Sequence, residues 1–477
     1  MKKESLIFLS LLVVGIVLRF TAVNQLDWFF GLGLHVDEIT YAEGDSPPFE
    51  RPPGTYLIAG LSENTGVLRV IFSTLSLVPG VALFFFRKRS TGNALLAGAM
   101  AVEPTLAFSG LQVLPAAPAA ALLSIAVISG KKYPLLTGWF IGCAALFRGE
   151  VLLFVPVSLF FLRPFRKYLL TAGGILAAVV PVSALNFASG GQFAPGGNGP
   201  LNMWIGSSWD LLETPPGLEF EQLMGDNSFT DNVVTALTED FPGWVGRGFQ
   251  KAAAFFQIPG PGRNIEAPRL ILSTVLTLFL PVTLLFLAFG VSGFRKNTAT
   301  ALIVTGILAA FLFFPSVRHR SIFLPAFAFS VPYFRRRTAL VSALLIIVLS
   351  LFYSYPGSVR PGLTEVLVAE KQLGNGSFEL AFENLRKAEE QGYTGADIHS
   401  VRGACIASSG GGFHDALTEF GLALEIAPES PTAWKNIAAV LWNYGYREDA
   451  VEAAEKAVSL NPALRNELSP ILSSGVR

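Results

Sequence analysis

The chain has 477 residues, 51% hydrophobic and only 15% charged, with 35 Lys+Arg balanced by 35 Asp+Glu. Soluble domains carry about 25% charged residues, so most of this chain belongs in a membrane, and zero net charge excludes the basic footprint of a nucleic-acid binder. Two cysteines, Cys143 in an apolar run and Cys405 far downstream, exclude a disulfide framework and any Cys/His metal spacing.

The N-terminus, MKKESLIFLSLLVVGIVLRFTA, has the basic start and apolar core of a secretory signal. Arg19 occupies the place of a small-residue cleavage site and many apolar segments follow, so we read a retained first span. Runs long enough to cross a bilayer number about eleven. They are 4–22, 66–86, 93–110, 114–130, 134–148, 150–163, 168–187, 268–290, 298–315, 321–334 and 338–355, with 114–130 and 321–334 the weakest. Basic clusters test the path, because cytoplasmic loops hold the Lys/Arg excess. Lys2–Lys3, Arg87–Arg89, Lys131–Lys132, Arg163 with Arg166–Lys167, Arg295–Lys296 and Arg335–Arg337 all fall inside if the N-terminus is cytoplasmic and the spans alternate.

The same path places residues 35–56, HVDEITYAEGDSPPFERPPGTY, outside, between the first two spans. Asp37 and Glu38 open this loop, with Glu43, Asp45 and Glu50 behind them. Carboxylates at a bilayer face suit acid–base chemistry or a divalent metal such as Mg or Mn; the plain alternative is a solvated acidic loop. Residues 188–266 are also external and too long for an idle connector. Their Trp204, Trp209 and Trp244 suit a membrane interface or a sugar-stacking surface.

From about residue 361 the chain becomes soluble helix. Ala416 and Ala450, Pro428 and Pro462, and Ala404 and Ala438 each stand 34 apart. The lines HDALTEFGLALEIAPES and EDAVEAAEKAVSLNP follow a looser copy, ELAFENLRKAEEQG. This period, with small residues where helices cross and Pro after the second helix, resembles tetratricopeptide repeats. Residues 361–477 hold 16 Asp/Glu and 9 Lys/Arg, net −7, which fits an external soluble domain and hints at basic partners.

Further charges fall at the outer ends of the spans: Arg19; Glu103, just before Pro104; Arg148 and Glu150 in FRGEVLLFVP; and Arg318, His319 and Arg320 in SVRHRSIFLP. At that depth charges are costly unless paired, hydrated or used. Acids to activate a hydroxyl and arginines to hold a lipid-borne phosphate form a coherent set; headgroup anchoring also explains the Arg–His–Arg cluster.

Over most of residues 1–355 the chain resembles the GT-C type of polytopic glycosyltransferase, in the branch of the protein O-mannosyltransferases and the lipid A aminoarabinose transferase. VDEITYAE after Arg19 resembles the family's Asp–Glu–x–x–Tyr loop, and FERPPGTYLIAG its Pro–Pro entry into the next segment. LRVIFSTLSLVPGVALFFFRKR, LLAGAMAVEPTLAFSG, LFRGEVLLFVP, GGNGPLNMWIGSS and SVRHRSIFLP resemble later signposts, in order and on the expected sides.

The resemblance implies an all-α membrane bundle over 1–357, with external loops at about 22–65 and 188–266, followed by a repeat domain over 361–477. It implies sugar transfer from a polyprenyl-phosphate carrier, in a cytoplasmic (inner) membrane, to an acceptor on the extracytoplasmic face. Asp37 matches the catalytic base and Glu38 its support. Arg318 and Arg320, then His319 and Arg148, are candidates for the carrier phosphate; Glu103, Glu150 and Tyr41 are supporting candidates. The repeats imply a protein partner or acceptor. One departure stands out: relatives carry a second acid after the third span, where this chain reads LQVLPAAPAA. A non-catalytic membrane scaffold is therefore the rival reading. Transport is a third, set aside because no mid-membrane acid is evident from the spans.

Overall fold

A computed structural model describes residues 3–29, 53–62, 65–86, 90–111, 113–130, 132–196, 199–207, 229–258, 278–313, 315–352, 362–374, 376–428, 430–460, 464 and 468–473. Among the described residues every regular element is helical. They fall into two compact units that divide near residue 360.

The first unit opens with α1 (Lys3–Phe29), α2 (Gly54–Ala59), α3 (Thr65–Phe86), α4 (Thr91–Ala101) and α5 (Pro104–Gly110). There follow α6 (Ala116–Ser129), α7 (Pro134–Ala145), a 3-10 turn over Gly149–Leu153, α8 (Phe154–Phe161) and α9 (Phe165–Ala188). Next come α10 (Gly199–Ile205), α11 (Phe229–Glu239) and α12 (Phe241–Ala254). The unit closes with α13 (Leu280–Ser292), α14 (Thr298–Leu312), α15 (Val317–Ser330) and α16 (Arg336–Phe352).

Local chemistry sets many of these boundaries. Side chains of Ser90, Glu103, Asp240, Asn297 and Ser316 accept backbone N–H groups at the starts of α4, α5, α12, α14 and α15. Pro104 and Pro134 occupy first-turn positions, where a missing N–H costs nothing.

Three stretches, Lys3–Thr21, Gly66–Phe86 and Phe165–Ala188, are long and apolar enough to cross a membrane by length and composition. They mark the unit as membrane-associated. The exposed Leu9, Val13 and Phe20 on α1, and Leu340, Leu344 and Leu351 on α16, form apolar faces that a soluble monomer rarely leaves to water.

Other sequence-predicted spans differ in form. The 93–110 segment breaks at Val102–Glu103 into α4 and α5. The 150–163 segment is a 3-10 turn followed by an α8 of 8 residues, about 12 Å of helix. Helix α15, weak by hydropathy, is buried at every position from His319 to Ser330. Its neighbours are protein side chains of α5, α6, α13 and α14, so it needs no lipid-facing apolar surface.

Small residues let the helices approach. A Cβ on Gly138 of α7 would lie 1.8 Å from the Thr171 carbonyl oxygen of α9, and one on Gly174 would lie 2.0 Å from that of Leu135. Close backbone approach of this kind is what holds helices together where lipid supplies no hydrophobic drive.

The second unit is built of the helix pairs α17 (Leu363–Gly374) with α18 (Phe378–Glu390), α19 (Ala396–Ser408) with α20 (Phe413–Ile426), and α21 (Pro431–Asn443) with α22 (Arg447–Leu460), then a short α23 (Ser469–Leu472). Buried positions recur in register: Ala381, Ala416 and Ala450; Leu385, Phe420 and Ala454; Ala388, Ala423 and Ala457. Within each second helix these lie at i, i+4 and i+7, one stripe of an α-helix. The turn inside each pair passes through a left-handed glycine, Gly376 (φ 72°), Gly410 (φ 80°) and Gly445 (φ 88°), a conformation that excludes most L-residues.

Candidate active site

Asp37, Glu38 and Tyr41 lie outside the described residues. The chain after that loop enters the bundle at Gly54, whose N–H donates to the Leu146 carbonyl at 2.7 Å. A Cβ at position 54 would stand 2.7 Å from that oxygen and 2.8 Å from the Phe147 ring, so only glycine permits this approach. The following residue is Arg148.

Arg148 and Glu150 flank the turn between α7 and the 3-10 segment, and the start of α15 delivers His319 to the same place. Arg148 Nε donates to Glu150 Oε1 at 2.7 Å, and its Nη2 meets His319 Nε2. Glu150 Oε1 lies 3.3 Å from the same imidazole nitrogen. Ser316, the N-cap of α15, accepts the His319 backbone N–H at 3.2 Å and sits 2.7 Å from Nδ1. The imidazole thus faces Arg148 and Glu150 with Nε2 and Ser316 with Nδ1, the roles of the two nitrogens being set by the tautomer. The Arg148 side chain is 20% exposed and its Nη1 has no partner among the described residues. The turn is therefore a half-buried, open guanidinium oriented by one carboxylate and one imidazole, a geometry suited to a phosphate oxygen.

Arg318 is partly buried on the same first turn of α15. Arg320 is placed differently. It is 0% exposed and turns its Nη1 to the carbonyls of Phe255, at 3.3 Å, and Gln257.

Glu103 is fully buried at the break between α4 and α5. Its carboxylate accepts the Leu106 N–H at 2.6 Å and the hydroxyls of Thr105 at 2.9 Å and Thr283 at 2.5 Å. Its charge acts on two buried guanidiniums, Arg19 and Arg320. Arg19 donates to Ser76 Oγ at 2.8 Å and to the Gly15 and Ala101 carbonyls. Glu103 lies in the 93–110 segment that the sequence reads as the third span. Its oxygens are committed to three donors that fix the helix break, a structural use.

Sequence reasoning missed Lys251 of α12. It is 0% exposed, and its ammonium donates to the carbonyls of Gly206 at 2.5 Å, Phe313 at 2.7 Å and Leu312 at 3.4 Å. Burial, then the nearby Arg247 charge, pulls it down to about 7. Arg247 in turn donates to Asp240, whose carboxyl is held below the usual range by that bond and by the Gly243 N–H. A lone lysine in a mixed helix carries no signal of this role.

Trp204 and Trp244 are each 7% exposed. Trp244 packs edge-on to Phe311 at 5.6 Å, a core contact that removes it as a stacking platform; Trp209 lies outside the described residues. Among the described residues no group of three His, Cys, Asp or Glu side chains could hold a metal.

No protein-family model matches this chain, and no curated protein matches it in sequence.

Proposed function

We propose that the chain is a GT-C type glycosyltransferase of about eleven spans, in a cytoplasmic membrane, with an outward-facing site and an external tetratricopeptide-like domain. The observation carrying this reading is the Arg148–Glu150–His319 cluster. Two turns distant in sequence supply it, and the acidic loop re-enters the bundle beside it at Gly54.

In this reading Asp37 takes the proton of the acceptor hydroxyl as its oxygen bonds to the anomeric carbon. The bond from that carbon to the carrier phosphate breaks, and the polyprenyl phosphate leaves with the electron pair. Arg148, oriented through Glu150 and His319, and Arg318 beside it stabilise the charge that develops on the phosphate. Glu38 and Tyr41 support the base, and Mg or Mn bound by the acidic loop would further neutralise the leaving group. The 34-residue register of the second unit supports the repeat reading and a protein partner or acceptor there.

The scaffold reading rests on one specific observation, the apolar LQVLPAAPAA where relatives carry a second acid. Binding of polyprenyl phosphate in nanodiscs by the purified full-length protein, wild type beside Arg148→Ala/Arg318→Ala, tests the enzyme reading. Saturable binding lost in the double variant supports it; equal binding by both overturns the phosphate site.

A further inference from the structure

The turn that carries Ser316, Arg318 and His319 is held by two cations exchanged between neighbouring elements. Lys251, on α12, donates to Leu312 and Phe313, the last carbonyls of α14 before the turn. Arg320, on α15 just after the turn, donates to Phe255 and Gln257, the carbonyls that follow α12. Lys251 thus satisfies orphan carbonyls at the C-terminal end of α14, and Arg320 satisfies those at the C-terminal end of α12, the helix that carries Lys251, where each helix dipole is negative. Lys251 also holds Gly206, and a Cβ at that glycine would lie 2.1 Å from the Phe313 oxygen. The edge contacts of Trp244 and Phe249 on Phe311 close the same joint. Beyond α12, the Ile258 N–H donates to Ser350 Oγ at 2.9 Å, fixing the far end of the exchange to α16.

We infer that Lys251 and Arg320 form a reciprocal lock that sets the junction of α14 with α15, so that both are positioning residues for the His319–Arg148–Arg318 phosphate site. This rests on the phosphate-site reading above. It takes Arg320 out of direct contact with the carrier and adds a residue of the external segment to the machinery. Both side chains are fully buried, and the groups seen to bond, Lys251 Nζ and Arg320 Nη1, donate to backbone carbonyls. What they control is the position of a turn whose next residues, Ser316 and His319, orient Arg148 through a chain of polar contacts.

The experiment uses the full-length protein in nanodiscs, as wild type, Lys251→Met and Lys251→Arg, with polyprenyl phosphate as probe and hydrogen exchange over residues 310–322 as second readout. Methionine keeps the aliphatic stem and removes every donor; arginine keeps the charge and the donors. Lys251→Met should weaken probe binding about tenfold, as for a lost charge-assisted bond, and should speed exchange at the Arg320 amide, which donates to the Ser316 carbonyl at 3.0 Å. Lys251→Arg should recover most of both. Wild-type binding and exchange in Lys251→Met, or an arginine variant no better than methionine, overturns the lock. If wild type itself fails to bind the probe, the phosphate-site reading falls. Exchange then decides the lock alone: faster in the methionine variant and restored by arginine if it exists, equal in all three if it does not.

Discussion

Arg148 Nη2 meets His319 Nε2 although the two residues are 171 apart in the chain. Neither turn forms an anion site by itself. The α7 turn supplies the guanidinium with Glu150 on its Nε edge, and the start of α15 supplies the imidazole pinned by Ser316. The polar groups thereby fix one another's direction and leave Nη1 of Arg148 open.

If this guanidinium holds a lipid phosphate, Arg148→Ala should weaken polyprenyl-phosphate binding about tenfold to a hundredfold. Arg148→Lys should recover little, because an ammonium cannot contact Glu150, His319 and phosphate with one planar fork. Titration of carrier lipid into nanodisc-embedded protein measures this. Full recovery by lysine would reduce the site to a simple positive charge.

Glu103 should matter to stability. Replacing it by alanine removes the cap of α5 and leaves Thr283, Thr105 and the Leu106 N–H without their acceptor inside the bundle. The expected loss is about 3 kcal/mol, read as a lower unfolding midpoint in detergent, with Glu103→Gln less affected because its carbonyl still accepts. An unchanged midpoint in the alanine variant would show that the break is held by Pro104 and packing alone.

Much of this was legible in the sequence, and the reasons differ by region. The helix pairs of the second unit were visible because the 34-residue period repeats alanines, such as Ala416 and Ala450, that the structure buries. The 93–110 run reads as one span, although Pro104, with Glu103 capping it, marks where the structure breaks the helix. By contrast, α15 looked weak as a span because hydropathy assumes lipid neighbours, whereas its surroundings are protein. The 150–163 run was read as one span because composition does not distinguish a 3-10 turn plus a short helix from a continuous one. Arg148, Glu150 and His319 were named from sequence by their depth, but their meeting depends on how α7 and α15 pack. Lys251 was missed for the same reason: its role is defined by carbonyls belonging to residues far away in the chain.

Cys405 gives a pH-dependent readout of the second unit. Burial raises its thiol to about 11, above the ordinary value near 8.5. The thiolate is the reactive form, so at pH 8 only about one molecule in a thousand presents it, and labelling should rise about tenfold per pH unit towards 11. Because the folded value is the raised one, this group's contribution to stability is complete below about 8.5 and is lost as pH rises through about 11. Maleimide labelling of a Cys143→Ser variant tests this; fast labelling of the native protein at pH 8 would place Cys405 at an open surface.

Topology carries its own prediction. A reporter fused after residue 357 should behave as extracytoplasmic if, as proposed, the N-terminus is cytoplasmic and the chain alternates through about eleven spans. A cytoplasmic signal would overturn the span count and the sidedness of the site together.

The most direct measurement is sugar transfer from a mixed pool of polyprenyl-phosphate sugars by the purified full-length protein, wild type beside Asp37→Asn. The expected result is transfer by wild type that disappears in the variant while carrier binding is retained, which makes Asp37 the base. Transfer that survives in Asp37→Asn would contradict that assignment. Carrier binding without transfer by either protein would contradict the enzyme and favour a scaffold whose repeat unit recruits a partner.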